Sequence, residues 1–271
     1  MNEMIRSKPP GQAGEAEDSA RALVPAVDRA MKILALMESQ PDACFTVSEL
    51  ARLLGIPKST TFNICGALTE GQLLRRARDG FKLGPRLVHL GSAYVASINI
   101  VREFYDVGRL APLDLGAGIQ LAALEDFDIV YLAQQDCNSG LRLGLAGGVG
   151  RRIPANCSAS GKALLAQLSP RELERRVSAH SPLPKLTRKS ITSGTKLLRA
   201  LAETRETGYG IADEEAFTGI FAIAKAMPTR SVESGHIAIT ISATKETLTP
   251  ERNDRIRSVL DQLVDQLRAR V

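Results

Sequence analysis

Tryptophan is absent from the 271 residues, and aromatic residues of all kinds make up 4%. Any core must therefore be built mainly from aliphatic side chains, for which a hydrophobic fraction of 44% is sufficient. Histidine occurs at His89, His180 and His236 only, without the spacing of a metal-ligand set, and no cofactor is expected. The four cysteines, Cys44, Cys65, Cys137 and Cys157, never fall in a Cys-x-x-Cys pair and read as reduced cytosolic thiols. No apolar run approaches the roughly 20 residues that cross a bilayer. Nothing at the N-terminus reads as a signal peptide, so a cytoplasmic location without membrane contact is expected. A phosphate loop is excluded as well. The stretch Asn156–Lys162 ends in Gly161-Lys162 but has Asn156 in place of the first glycine and Ala163 in place of the hydroxyl that would hold magnesium.

The length suits two domains of ordinary size. The net charge of +5 is unevenly spread. Residues 1–24 hold three basic and four acidic side chains, 25–86 nine and six, and 87–271 twenty-three and twenty. The basic excess per residue is therefore highest in the second of these segments, where a polyanion would be favoured.

That segment contains Thr46–Leu68, TVSELARLLGIPKSTTFNICGAL. Thr46 and Glu49 have the spacing of a capping box. Val47, Leu50, Ala51 and Leu54 form one apolar stripe, Gly55 suits a left-handed helix end, and Pro57 pre-sets a second helix. In that second helix Thr61, Ile64, Cys65 and Leu68 face inward, which leaves Lys58, Ser59, Thr60, Phe62 and Asn63 facing out. This is the layout of a helix-turn-helix, whose second helix enters a major groove; an ordinary helical hairpin inside a larger core has the same pattern. Asn63 can make two hydrogen bonds to an adenine edge and Phe62 can touch a thymine methyl, although Phe62 packed against a neighbouring hairpin is an equal alternative. Ser59 and Thr60 suit phosphate. Gly66 inside the helix costs roughly 1 kcal/mol against alanine, which close packing on a neighbour would explain.

Residues 1–24 are rich in Pro, Gly, Ala and charge and read as a disordered tail. A helix is expected from Pro25 to about Ser39, with Val27, Ala30, Met31, Leu34 and Met37 as its apolar stripe. After the helix-turn-helix, Leu73–Arg78, Asp79-Gly80 and Phe81–Leu83 read as strand, turn and strand: a wing whose Arg75, Arg76 and Arg78 are placed to meet phosphates. Residues 86–98 read as a helix with Leu87, Leu90, Tyr94 and Ile98 on one side, and a second helical stretch spans roughly 100–115. Strands are expected at Ile119–Leu124, Ile129–Gln134 and Leu141–Leu145, followed by a glycine-rich loop, Ala146–Pro154. Helices follow at 158–168 and 170–179, then a loop to 192 and a helix from Ser193 to Thr207. Tyr209–Asp213, Phe217–Met227 and Gly235–Thr244 read as strands. A last helix from Pro250 places Ile256, Leu260, Leu263 and Leu267 on one face. The order fits an antiparallel sheet covered by helices, an α+β fold.

Three stretches together resemble one family. They are Val24–Leu34; Leu54–Leu68 with Phe81–Leu87; and Pro154–Ala166 with Glu206–Glu215, Gly219 and Ile223-Ala224. The chain resembles the IclR (isocitrate lyase regulator) transcription factors of bacteria from Pro25 onward. The resemblance implies a winged helix-turn-helix over 25–85, a linker helix over 86–104 and a GAF-like effector-binding domain with an antiparallel sheet over 105–271. It implies a homodimer or homotetramer that binds a double-stranded operator and represses or activates according to a small effector, an organic acid or aromatic intermediate. By resemblance the pocket is walled by Asn156, Ser158, Ala159, Ser160 and Gly161, by Asp213, Glu215, Ile220 and Ala222, and by Thr240 and Ser242. The helix start at Ser158–Lys162 would suit a carboxylate. Thr240 and Ser242 alternate with Ile239 and Ile241 and so share a sheet face; they could equally be strand hydroxyls bonded to backbone, and Asp213 and Glu215 could cap the following turn. The chain departs from the family in carrying Asn63 where arginine is usual in the recognition helix, and Asn156 where histidine is frequent. Two other classes stand beside this reading. One is a GAF-like sensor acting through protein partners. The other is an enzyme using Cys157 with His180 or His236.

Overall fold

The computed structural model describes residues 24–109, 111–137, 148–227 and 236–270. The expected tail up to residue 23, the strand Leu141–Leu145, the start of the glycine-rich loop and Gly235 lie outside the described residues. The chain divides into two compact units, Met1–Leu90 and Gly91–Val271.

The first unit begins with α1 (Pro25–Ser39), whose Pro25 takes a first-turn position. Its inward residues are Ile33 and Met37, flanked by Ala30 and Leu34. Val27 and Met31, expected inside, are 58% and 60% exposed. The apolar pattern supports two phases about one residue apart, and the phase that reaches the core is the one through Ile33. α2 (Val47–Leu54) starts on the expected capping box: Glu49 N donates to Thr46 Oγ1 at 3.2 Å and Thr46 N donates to Glu49 Oε2 at 2.8 Å. It ends at Gly55 in the left-handed region. α3 (Lys58–Glu70) follows, with Thr61, Cys65 and Leu68 inward. β1 (Leu74–Ala77) and β2 (Gly80–Leu83) form the hairpin. Its turn residues are Arg78 and Asp79, and Gly80 already pairs with Ala77. Gly80 is needed both for its backbone, with φ at 155°, and for a close approach, since a β-carbon there would lie 2.4 Å from the Phe45 carbonyl oxygen. Phe45, Leu50, Leu68, Leu74 and Phe81 close a single core with Ile33 and Met37.

α4 (Arg86–Ser97) contains the boundary between the units and buries none of its residues. Val88, Leu90 and Tyr94 are exposed on it. α5 (Asn99–Gly108) buries Ile100, Val101, Phe104 and Val107. It ends seven residues before the expected 115, ahead of Pro112, which lacks the amide a helix interior requires.

The second unit is built on an antiparallel sheet of six strands: β3 (Ala117–Glu125), β4 (Asp128–Cys137), β5 (Arg152–Pro154), β6 (Gly210–Asp213), β7 (Ile220–Met227) and β8 (Ile237–Thr244), in the order β5-β4-β3-β8-β7-β6. β5 falls where the sequence reads as loop; three residues are too few for a period-2 signal. One sheet face carries Ile119, Leu121, Ile223, Ile239 and Ile241 and is covered by α5 and by α9 (Pro250–Arg268). α9 buries Ile256, Leu260, Leu263 and Leu267 as its spacing predicts, together with Val259 and Val264. Each such side chain contributes at most about 1.5–3 kcal/mol.

The opposite face carries α6 (Ala159–Leu165). α7 (Pro170–Ala179) and α8 (Gly194–Thr207) pack outside it through Leu165, Leu173, Leu197 and Leu201. Ser169 caps α7, Ser193 caps α8 and Gly208 ends it, all as expected. α6 lies very close to the sheet. Ala159 and Ala163 meet Ala212 and Ala224, and a β-carbon on Gly210 would lie 2.2 Å from the Ala159 carbonyl oxygen.

Candidate DNA-contacting face and effector cleft

In the first unit, helical geometry separates the two sides of α3. The inward hydroxyl of Thr61 is satisfied by donating to the Pro57 carbonyl at 3.1 Å. Lys58, Ser59, Phe62 and Asn63 are exposed and Thr60 is half-buried. Phe62 is 54% exposed, so it does not rest in the wing. Thr46, Ser48, Lys58, Ser59, Phe62 and Asn63 line one shallow groove where the start of α2 meets α3. Gly66 lies on the same helical face as Ser59, Phe62 and Asn63, and a β-carbon there would meet nothing within 4 Å. The neighbour expected to explain this glycine is therefore not present among the described residues; its effect is to keep the exposed face low.

The wing arginines are exposed but not equivalent. Strand alternation sends Arg75 and Arg76 to opposite faces. Arg75 stands opposite Lys82, while Arg76 stands opposite Phe81 and holds its guanidinium 5.2 Å from that ring's centroid. Arg78 occupies the turn.

In the second unit, the sheet face beneath α6 is lined by small residues where the other face carries isoleucine and phenylalanine. Close packing fails there and leaves a cleft. It is small in this structure, with room of about 30 Å³, and is partly open to solvent. Its walls are Gln120, Tyr131, Ser158, Ala159, Ala212, Ala216, Phe217, Ile220, Ala222 and Ser242. Of the eleven residues expected at a pocket, Ser158, Ala159, Ile220, Ala222 and Ser242 meet here.

The other six do not line it. Asn156 is fully buried and its amide donates to the carbonyls of Pro184 at 2.8 Å and Ile191 at 2.9 Å, tying down the loop that precedes α8. Gly161 lies against Ala155, and its amide donates to Ser158 Oγ at 2.9 Å. Asp213 accepts from Lys245 at 2.8 Å. Glu215 accepts from Lys162 at 2.6 Å in a buried pair, with Lys162 also donating to the Ile211 carbonyl. Burial pushes the Lys162 ammonium below its ordinary range while the charge of Glu215 holds it up; burial pushes Glu215 above the usual carboxylate range against the pull of Lys162. Ser160 and Thr240 are buried behind the walls; the Thr240 hydroxyl finds no hydrogen-bond partner among the described residues, and the Ser160 hydroxyl lies toward the Tyr131 phenol.

Sequence reasoning missed Gln120, Tyr131, Ala212, Ala216 and Phe217. Gln120 and Tyr131 left a readable trace, each a polar group inside an apolar strand. Gln120 Oε1 accepts from Ser242 Oγ at 3.1 Å, joining neighbouring strands across the cleft floor. Burial pushes the Tyr131 phenol up to about 12, with Arg151 and Ser160 pulling the other way, so the group is neutral throughout the physiological range. Cys157 is fully buried beside Asn156 and its thiol is pushed up by burial, the opposite of an activated nucleophile.

A helix-turn-helix with an exposed recognition face, joined to a second unit whose sheet carries a cleft with a polar floor, has the make-up of a ligand-responsive DNA-binding regulator of transcription. Family comparison agrees for both units. The family described as "Bacterial transcriptional regulator IclR C-terminal" matches residues 92–269, and the "IclR helix-turn-helix domain" matches residues 26–78. The chain belongs to the IclR family, whose members are transcriptional regulators and not enzymes. It is 31% identical over 244 residues to the "HTH-type transcriptional repressor AllR" of Klebsiella pneumoniae, covering 89% of this chain and 88% of that one. The fold is shared with an IclR family regulator from Brucella abortus (TM-score 0.78, 20% identity, 97% of this chain and 100% of that one). It is also shared with an IclR homolog from Microbacterium hydrocarbonoxydans complexed with 4-hydroxybenzoate (TM-score 0.68, 23% identity, 90% and 99%). No helix among the described residues is long and apolar enough to cross a membrane.

Proposed function

We propose that this regulator represses a catabolic operon and releases it when a small organic acid or aromatic-type acid enters the cleft. Residues 25–85 form the DNA-binding module, 86–104 the linker and 105–271 the effector domain. In this reading Asn63 and Phe62 read base edges, and Lys58, Ser59, Thr60, Arg75, Arg76 and Arg78 hold phosphates. Ser158, Ala159, Ile220, Ala222 and Ser242 contact the effector directly. Asn156, Ser160, Gly161, Asp213, Glu215 and Thr240 shape the walls from behind. The observation that carries the DNA half is Phe62, an aromatic left more than half exposed beside Asn63 on a helix whose other side is fully packed. A repressor's name on the 31% identical relative supports the direction of control, and the bound aromatic acid in the Microbacterium protein supports the effector class.

The exposed Val88, Leu90 and Tyr94 on a helix with no buried residue support pairing of two linker helices, hence a homodimer or a tetramer of two such pairs. Two-fold pairing would set the spacing of two recognition helices to operator half-sites. A cytoplasmic location follows from the operator. A gel shift with the DNA upstream of the chain's own gene tests the reading. A shifted band that Asn63→Ala weakens and that low-molecular-weight acids release supports it, and no binding at low salt contradicts it.

A further inference from the structure

The outer layer of the second unit runs from α7 through the loop after it to the end of α8, residues 170–207. It carries nine basic and four acidic side chains, an excess of five that equals the net charge of the whole chain. Part of that charge is satisfied internally. Arg175 and Arg176 pair with Glu172, Lys189 pairs with Glu214, and Arg205 donates to the Ala166 carbonyl. Arg171, Lys185, Arg188, Lys196 and Arg199 are exposed and have no ion-pair partner among the described residues. Four of these five frame an exposed leucine. Lys185 and Arg188 flank Leu186, and Lys196 and Arg199 flank Leu198; the two leucines are 49% and 47% exposed. The first set is fixed through its backbone. Ser190 Oγ accepts from the amides of Leu186 at 3.0 Å and Thr187 at 2.9 Å and donates to the Glu215 carbonyl at 2.7 Å, while Thr187 Oγ1 donates to the Glu214 carbonyl at 2.7 Å. Lys185, Leu186 and Arg188 are thereby presented along one open groove.

We propose that this layer docks an acidic segment of a protein partner, one in which apolar side chains alternate with Asp and Glu. The carboxylates pair with Lys185, Arg188, Lys196 and Arg199, and the apolar side chains cover Leu186 and Leu198. Charge complementarity fixes the sign of the partner and speeds the encounter. The leucines select protein over duplex, because a sugar-phosphate backbone is held by cations, hydroxyls and amides and offers nothing that covers a leucine. A loop already fixed in shape lowers the ordering cost of binding. None of these residues lines the effector cleft or the groove on α3, so the surface can be altered without touching either.

The test is fluorescence anisotropy of the full chain with four labelled probes: a short peptide of alternating Glu and Leu, the same peptide with Gln for every Glu, the same with Ser for every Leu, and a duplex of random sequence. Wild type, the double variant Lys185→Glu with Arg188→Glu, and the double variant Leu186→Ser with Leu198→Ser are compared. Wild type is expected to bind the acidic leucine peptide about tenfold or more tightly than either altered peptide, with an affinity that falls as salt rises. The charge variant should lose that binding by about tenfold or more and keep its affinity for duplex nearly unchanged. The leucine variant should bind the Leu and Ser peptides alike. No binding of the acidic leucine peptide to wild type, equal binding of its Ser counterpart, or binding that neither variant alters overturns the proposal. A charge variant that loses duplex affinity as much as peptide affinity also overturns it, and assigns the layer to nucleic acid instead.

Discussion

Replacing Gly210 with alanine tests how the cleft is held open. The added β-carbon would lie 2.2 Å from the Ala159 carbonyl oxygen, 2.6 Å from the Ala163 amide nitrogen and 3.1 Å from the Ala163 β-carbon. Two of these are backbone atoms of α6, so no side chain can swing aside. Ordinary contact starts near 3.4 Å, so α6 must rise from the sheet by about 1 Å, and such overpacking costs about 1–3 kcal/mol. For a unit of this size that lowers its Tm by roughly 2–12 °C. Ser158 and Ala159 move with α6, and both are cleft walls. The expected outcome is a destabilised second unit, weakened effector binding and unchanged DNA affinity at low temperature. Differential scanning calorimetry, effector titration and a gel shift read the three parts. Gly194→Ala is the control, since its β-carbon would meet only a Val177 methyl at 3.4 Å. If Gly210→Ala matches wild type within about 0.5 kcal/mol and keeps its effector response, α6 is not seated as described.

Three further outcomes are expected. Thr46→Ala removes one half of the α2 capping box and should lower the stability of the DNA-binding unit by about 1 kcal/mol in urea unfolding. Arg75→Ala should weaken binding to all duplexes alike and reduce the salt slope by about 1, whereas Asn63→Ala should lose about 1–3 kcal/mol of discrimination at one base pair; a binding titration against salt and against single-site operator variants separates them. Lys162→Met leaves the Glu215 carboxylate buried without its cation and should cost about 3–5 kcal/mol. Adding Glu215→Gln should recover much of that loss, and a double mutant as unstable as Lys162→Met would contradict the pairing.

What the sequence disclosed depended on how local the signal was. Thr46 with Glu49, Ser169, Ser193 and Gly208 each act within four residues of a helix end, and all stand where their spacing put them. The last helix showed its buried side because four leucine and isoleucine positions share one phase. α1 was misphased because Val27 and Met31 extend the apolar pattern beyond the core it serves. The cleft was only half legible. Ile220, Ala222 and Ser242 entered through the family resemblance, and the register that sets Ala222 opposite Ser242 belongs to the sheet. Gln120, Tyr131 and Phe217 reach the same space from β3, β4 and the turn before β7, which only the sheet order brings together. Asp213 and Glu215 were drawn off by Lys245 and Lys162, partners distant in sequence that no spacing rule connects to them.

In the proposed mechanism, occupancy of the cleft and grip on the operator are linked. A ligand shifts that balance only through unequal affinity for the two states. The most direct measurement is operator Kd, at fixed salt, with and without a saturating acid that binds the cleft. A weakening of about tenfold, or about 1.4 kcal/mol, that disappears in Ala222→Leu is the expected result. An acid that fills the cleft and leaves operator affinity unchanged would contradict the account.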